Sequence, residues 1–360
     1  MNEPNAPVSP AAEPSQAPSR PAAAEFDAVL SRGAFMPLDQ FGVIDAIGDD
    51  AASFLHGQLT NDVQHLDAAS ARLAGYCSPK GRLLASMLAW RVADTIRLLV
   101  SKELTAAVQK RLSMFVLRAK AKLADATDSV AIVGFAGDVR APLSRLFDAL
   151  PDGVHVHVAG PAGSLIRVPD SASRPRYLWI GPKALVQERL AALEGELVRA
   201  SPAVWDWLDI HAGEPRITQG VLEQFVPQMI NFDVIGGINF RKGCYPGQEI
   251  VARSQYRGTI KRRMALAHVV TGAGSGSGSA EAGGDGAGNA VRPGVELFHS
   301  DDPSQPCGMV VNAAPAPRDG FDVLAEVKLS ALENGTVHLG SADGPLLAFQ
   351  PLPYALPSEA

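Results

Sequence analysis

Apolar and polar positions fall into short, well-marked segments from Phe41 onward. In FGVIDAIGDDAASFLHGQLTNDV (41–63) an apolar run gives way to Ala52, Leu55 and Leu59 at helical spacing. That predicts a strand and then a helix capped by Asp49 or Asp50. ARLAGYCSPKGRLLASMLAWRVADTIRLLVS (71–101) reads as three strands, with turns at Ser78–Gly81 and around Asp94. KELTAAVQKRLSMFVLRAK (102–120) sets Leu104, Val108, Leu112 and Phe115 on one face of an amphipathic helix. SVAIVGFAG (129–137), SLIRVP (164–169) and RYLWIG (176–181) read as strands, and VRAPLSRLFDAL (139–150) as a helix. PKALVQERLAALEGELV (182–198) is a further helix, with proline near its start. Strands and helices mix without a regular βαβ alternation, so the fold class is α+β.

The texture changes at Lys261. RRMALAHVV, GVELFHS, CGMVVNAA, VLAEVKL and TVHLGS are short strand-like runs between turn residues, the pattern of a small β-barrel over 261–355. Within it, the Gly/Ser-rich stretch 271–291 is too poor in apolar residues to pack and reads as a flexible insertion. Residues 1–30, rich in Pro and Ala, read as a disordered tail.

The chain has 360 residues, 46% apolar and 19% charged, enough for two or three cored domains. It contains no apolar run long enough to span a bilayer, so no membrane partner is expected. The amino end lacks the charged start and apolar stretch of a secretory signal, and cytoplasm is the default expectation. A net charge of -6 argues against general nucleic-acid coating. Cys77, Cys244 and Cys307 are odd in number and scattered, which excludes a disulfide framework or a short-spaced zinc site.

One segment departs from the acidic average. Between Arg241 and Arg263 stand seven Lys/Arg and one acid, Glu249, a docking surface for a phosphate, a carboxylate or a cofactor tail. Within it, Tyr245-Pro246-Gly247-Gln248 fits a type II turn. A helix then starts near Gln248, carries a Glu249–Arg253 pair, and stops by Gly258. Cys244 therefore precedes a helix N-terminus and lies two residues from Lys242, and both placements favour a thiolate. It reads as a nucleophile, a redox sensor or a soft-metal ligand, against the plain alternative of a small core residue. Upstream, Gln224, Gln228 and Asn231 beside Gly236-Gly237 could offer amides to the edge of a heterocycle.

KGCYPGQEIVAR…YRG…KRR, preceded by FVPQMINFDVIGGINF, resembles the signature of the YgfZ family. The likeness continues through GQLTNDV, CSPKGRLL, HAGEPRI and PLPYALP, and so runs from about residue 35 onward. The resemblance implies a multi-domain ring like that of the glycine-cleavage aminomethyltransferase (GcvT-like). Residues 31–260 would form two interleaved α+β subdomains around a tetrahydrofolate-type site, followed by the small β-barrel. It implies a folate-binding accessory factor for iron–sulfur cluster assembly or repair, which supports [4Fe–4S] enzymes including tRNA-modifying ones. The family's functional Lys and Cys fall on Lys242 and Cys244, and its two folate-contacting aromatic positions on Phe41 and Trp205. Gln228, Asn231, Gln248, Glu249 and Arg253 complete the expected cofactor-binding set.

Partners implied are folate and iron–sulfur enzymes or assembly proteins, with tRNA reached only indirectly. A lone cysteine cannot hold a cluster, so no permanently bound metal is expected. Where aminomethyltransferases carry acids, this chain has Leu84 and Ala85 in GRLLASML and His211 in HAG. Lacking those carboxylates, the chain is not expected to be a classical enzyme. The alternatives are a tetrahydrofolate-dependent C1 transferase and a direct tRNA-binding factor.

Overall fold

The computed structural model describes residues 20–256, 260–271 and 291–357. The chain enters through helix α1 (Ala23–Ser31) and strand β1 (Ala34–Pro37), then leaves to build a separate sheet. That sheet comprises β2 (Phe41–Ile47), β3 (Ala71–Cys77), β4 (Leu83–Val92), β5 (Thr95–Ser101) and β6 (Lys122–Asp125), in the order β3-β4-β5-β2-β6. Helix α2 (Ala51–His56) follows β2, and α3 (Lys102–Met114) follows β5.

The chain then returns to β1 with β7 (Val130–Ala136), β8 (His157–Gly160), β9 (Gly163–Ser171), β10 (Arg174–Pro182) and β11 (Val198–Arg199). The order of this sheet is β11-β1-β7-β10-β9-β8, and only the β1–β11 pair is parallel. Short helices α4 (Arg140–Leu143) and α5 (Lys183–Ala191) lie on its connections.

Strand β4 reads LLASMLAWRV, and its first eight residues are buried without alternation. Such a run needs cover on both faces, and Trp90 Nε1 reaches across to Ser164 Oγ on β9 at 3.0 Å. Helix α6 (Pro202–His211) begins with Ser201 Oγ accepting from Ala203 N and Pro202 in its first turn. Val204, Trp205, Trp207, Leu208 and Ile210 are all buried, so the helix is apolar around most of its girth.

The last sheet contains β12 (Arg262–Val269), β13 (Glu296–His299), β14 (Asp302–Pro315), β15 (Phe321–Lys328), β16 (Val337–Leu339) and β17 (Leu347–Gln350). Its order is β16-β13-β14-β15-β12-β17, and a bridge between His338 and Leu346 joins the two ends of this curled half-barrel. Trp207 Nε1 and His211 Nε2 both meet the buried Asp322 carboxylate on β15, which ties α6 to this sheet. No described helix is long and apolar enough to cross a membrane.

Five expectations need correction. The tail does not extend to residue 30, because α1 docks by Phe26 and Val29, both fully buried, with Phe26 edge-on to Trp207 at 5.3 Å. Asp50 precedes α2 but does not cap it; its carboxylate accepts instead from the main-chain N–H of Lys120 at 2.7 Å. In α3, Leu104, Val108 and Leu112 are buried but Phe115 lies beyond the last turn and is exposed. The helix expected at 139–150 is only four residues long, and the one expected at 182–198 ends at Ala191, with Val198 already in β11. The insertion, apart from its two end residues 271 and 291, and the helix stop at Gly258 lie outside the described residues.

Candidate functional site

Between the five-stranded sheet, strands β9 and β10, and α6 lies a cavity of about 570 Å³, counting its open mouth. Phe41 at the start of β2 and Trp205 on α6 both line it, so the structure brings the two expected aromatic positions to one place. Trp205 is 1% exposed. Its ring occupies the room left by Gly134 on β7, where any Cβ would run into it.

The cavity also holds charges that sequence reasoning missed. Asp209 lies one helical turn from Trp205, and Glu214 and Arg216 follow the end of α6; all three line the wall. Arg176, fully buried on β10, donates Nη1 to Asp209 and Nη2 to Glu214, each at 2.6 Å. Its guanidinium sits 4.8 Å from the Trp205 ring centroid. Arg216 repeats the motif, with its guanidinium 4.7 Å from the Phe41 ring and Nη2 donating to Asp206 at 2.8 Å.

Each cation is thus paired and stacked on an aromatic face, an arrangement that suits guanidinium over ammonium. Burial pushes Asp209 and Glu214 above the usual carboxylate range, against the pull of Arg176. Arg216 lines the cavity, and its Nε and Nη1 are buried without a hydrogen-bond partner. The available signal was DWLDIHAGEPR (206–216), with three acids and an arginine in an apolar context.

A second locus surrounds Cys244. Tyr245-Pro246-Gly247-Gln248 closes with Gln248 N donating to Tyr245 O at 3.2 Å and Gly247 at φ +80°, as the type II turn requires. Gly247 packs on the Ser78–Gly81 turn, leaving no space for a side chain. Thr60 Oγ1 donates to Gly237 O at 2.6 Å and Asn61 Nδ2 to Gly236 O at 2.8 Å, so GQLTND braces the IGG segment. Segments far apart in sequence therefore converge on this loop.

Cys244 is exposed and free, whereas Cys77 and Cys307 are buried. Lys242 is buried; its Nζ donates to the carbonyls of His56, Leu59 and Gly243 at 2.6, 3.0 and 3.2 Å and lies 4.8 Å from the Tyr245 ring. Burial pushes the Lys242 ammonium down to about 8. Lys242 is a clamp on the loop, not a free partner beside the sulfur.

The other expected contacts lie elsewhere. Gln228 Nε2 donates to Val251 O at 2.7 Å, and Asn231 Nδ2 to Met264 O at 2.8 Å. Both amides join neighbouring segments and neither lines the cavity. Helix α7 (Gln248–Tyr256) carries the predicted Glu249–Arg253 pair at 2.9 Å, with both side chains exposed and away from the cavity.

Nor does the basic segment form an open cationic patch. Arg262 pairs with Glu326, Arg263 with Asp233, and Arg253 with Glu249. Among the described residues of the segment, Arg241, Lys242 and Lys261 lack an ion pair, and Lys242 is instead taken up by main-chain carbonyls; Arg257 lies outside them. Among the described residues no group of three or more His, Cys, Asp or Glu side chains is placed to hold a metal ion.

No protein-family model matches the sequence. The chain is 35% identical over 231 residues to the tRNA-modifying protein YgfZ of Edwardsiella ictaluri, covering 64% of this chain and 69% of that one. It is 32% identical over 325 residues to the protein of the same name from Enterobacter sp. strain 638, covering 89% and 92%. To that of Shigella boydii it is 31% identical over 322 residues, covering 89% and 93%. Among solved structures, the glycine cleavage system aminomethyltransferase T from Bartonella henselae superposes with a TM-score of 0.70 over 92% of this chain and 88% of its own. At 14% identity that likeness establishes the fold alone. With identities above 30% carried across nine-tenths of two relatives, the chain belongs to the YgfZ family, whose curated members are named tRNA-modifying proteins.

Proposed function

We propose that this chain binds a tetrahydrofolate in the Phe41–Trp205 cavity and serves as an accessory protein to iron–sulfur enzymes, including tRNA-modifying ones. The observation that carries the proposal is the pairing of apolar walls with complementary charges in one open-mouthed cavity. A reduced pterin has a planar face for aromatic contact and an edge with both donors and acceptors. Asp209 and Glu214 match its amino and ring N–H donors, and the unpartnered Arg216 Nε and Nη1 match its carbonyl or ring-nitrogen acceptors. These groups take the role first expected of Gln228 and Asn231. Cys244 supplies an exposed sulfur for transient contact with a cluster or persulfide on a client protein. The names of the relatives support the link to tRNA modification.

The same two carboxylates favour a second reading, a tetrahydrofolate-dependent C1 transferase. Leu84, Ala85 and His211 leave no acid at the aminomethyltransferase positions, yet Asp209 and Glu214 bring carboxylates into the cavity. The tRNA-binding alternative has less support, since the 241–263 cations are largely paired or buried among the described residues.

Calorimetric titration with tetrahydrofolate and 5-formyl-tetrahydrofolate tests the main reading. Micromolar binding that is lost in Asp209→Asn plus Glu214→Gln but kept in Cys244→Ala is the expected result. Absence of binding to wild-type protein would overturn it. Consumption of 5,10-methylene-tetrahydrofolate by the isolated protein would favour the transferase.

A further inference from the structure

His56 ends α2, and its carbonyl accepts Lys242 Nζ at 2.6 Å, so the cysteine loop is pinned beside it. Apart from the adjoining Lys242 and Cys244, a Cβ placed on Gly243 would find a single heavy atom within 4 Å, His56 Nε2 at 3.7 Å. The other ring nitrogen, Nδ1, is buried without a hydrogen bond and lies 3.1 Å from Asp62 Oδ1, off the preferred hydrogen-bond line. Asp62 also meets His65 Nδ1 at 2.9 Å, and Arg72 Nη1 lies 3.8 Å from it. A carboxylate behind an imidazole, and an exposed thiol one residue beyond the imidazole's open edge, is the order of groups that activates a sulfur nucleophile.

We propose that His56 accepts the Cys244 thiol proton, that Asp62 holds the imidazole in place, and that Gly243 keeps open the gap through which the sulfur turns onto Nε2. The proton on Sγ passes to Nε2, leaving a thiolate beside an imidazolium whose Nδ1–H faces Asp62. The thiolate electron pair then forms the new bond to a soft electrophile, whose leaving group departs with the old bonding pair. The charged and titratable groups facing this pair are Lys242, Asp62, His65 and Arg72. Burial, aided by the Lys242 charge, holds His56 below the ordinary imidazole value against the pull of Asp62, so the ring is free to accept a proton at neutral pH. The proposal rests on that part of the functional reading that makes Cys244 the reacting sulfur; it does not depend on folate.

The test is labelling with iodoacetamide as the soft electrophile, with the Cys244 peptide quantified by mass spectrometry across pH. The wild-type rate carries an inflection in the imidazole range. His56→Asn abolishes that inflection and slows labelling at pH 7 about tenfold, equivalent to about 1.4 kcal/mol. Asp62→Asn slows it about threefold, and free imidazole restores part of the rate to His56→Gly. An unchanged rate and profile in both His56→Asn and Asp62→Asn overturns the proposal. So does faster labelling in a His56→Asn protein of lowered melting temperature, because His56 would then only be packing the loop. Folate titration of the same proteins separates the two claims. Unchanged labelling with intact folate binding removes this proposal alone, and slowed labelling in a protein that binds no folate removes the cofactor reading alone.

Discussion

The Phe41–Trp205 cavity and the Cys244 loop both depend on buried positive charge, but they use it in opposite ways. In the cavity, Arg176 and Arg216 are stacked on Trp205 and Phe41 and paired with carboxylates from α6 and the segment after it. Side chains neutralise side chains, and the polar groups are fixed before any ligand arrives. At the loop, one ammonium is satisfied by three main-chain oxygens, and Cys244 beside it is exposed. The first design suits a ligand that stays, because ordering costs are met in the fold. The second suits a partner that comes and goes, because the sulfur is presented without a pocket.

The sharpest way to break this contrast is to empty the cavity wall. Trp205→Ala removes a fully packed ring and the surface on which Arg176 lies, at an expected cost of about 3–5 kcal/mol in urea unfolding. Folate affinity should fall at least tenfold in calorimetry, while iodoacetamide labelling of Cys244 stays the same. A variant that loses both would show that the two regions are one site.

Arg176→Met comes next. It strands Asp209 and Glu214 without their cation, and about 3 kcal/mol of stability should be lost at pH 7. A pH dependence separates charge from packing. Asp209 is raised by burial, so between the ordinary carboxylate value near 4 and its raised folded value the native state binds more protons than the unfolded state. Wild-type stability should fall as pH rises through that window, and Asp209→Asn should flatten the slope. If thermal midpoints measured from pH 4 to 8 show equal slopes for the two proteins, Asp209 does not carry the charge assigned to it.

Lys242→Met should have a smaller but more local effect. Three carbonyls lose their donor, for about 1–3 kcal/mol. Amide exchange should then accelerate around residues 56–60 and 242–245, with folate affinity unchanged. Protection that persists there would mean the loop is held by the Gly247 packing alone.

What the sequence disclosed follows the same division. Strands such as 83–92 and 130–136 were legible because their apolar runs are long and bounded by turns. The Pro-Gly turn was legible because its chemistry is local. Phe41 and Trp205 were reached through family resemblance, since no periodicity distinguishes a cavity aromatic from a core one. Asp209 and Glu214 stayed hidden because their partner, Arg176, lies more than thirty residues upstream on another element. The cations at 262 and 263 looked available for the matching reason, as Glu326 and Asp233 are 64 and 30 positions away from them. Gln228 and Asn231 were misplaced because an amide in sequence does not reveal which main chain it will join. Residues 23–30 looked like tail because alanine-rich composition masks a two-residue anchor, Phe26 and Val29.

The smallest expected effect is the most useful check on the proposed folate position. Glu249 and Arg253 were expected to touch folate, yet they form an exposed pair one turn apart on α7. Exposed i,i+4 pairs contribute about 0.3–0.5 kcal/mol. Arg253→Ala should therefore shift stability by no more than about 0.5 kcal/mol and leave folate affinity within twofold, because nothing on α7 lines the cavity. A loss of tenfold or more would place the glutamyl tail of the ligand across α7. The cavity and the cysteine loop would then be joined by the ligand, and the contrast between a resident cofactor and a transient partner would give way to a single extended site.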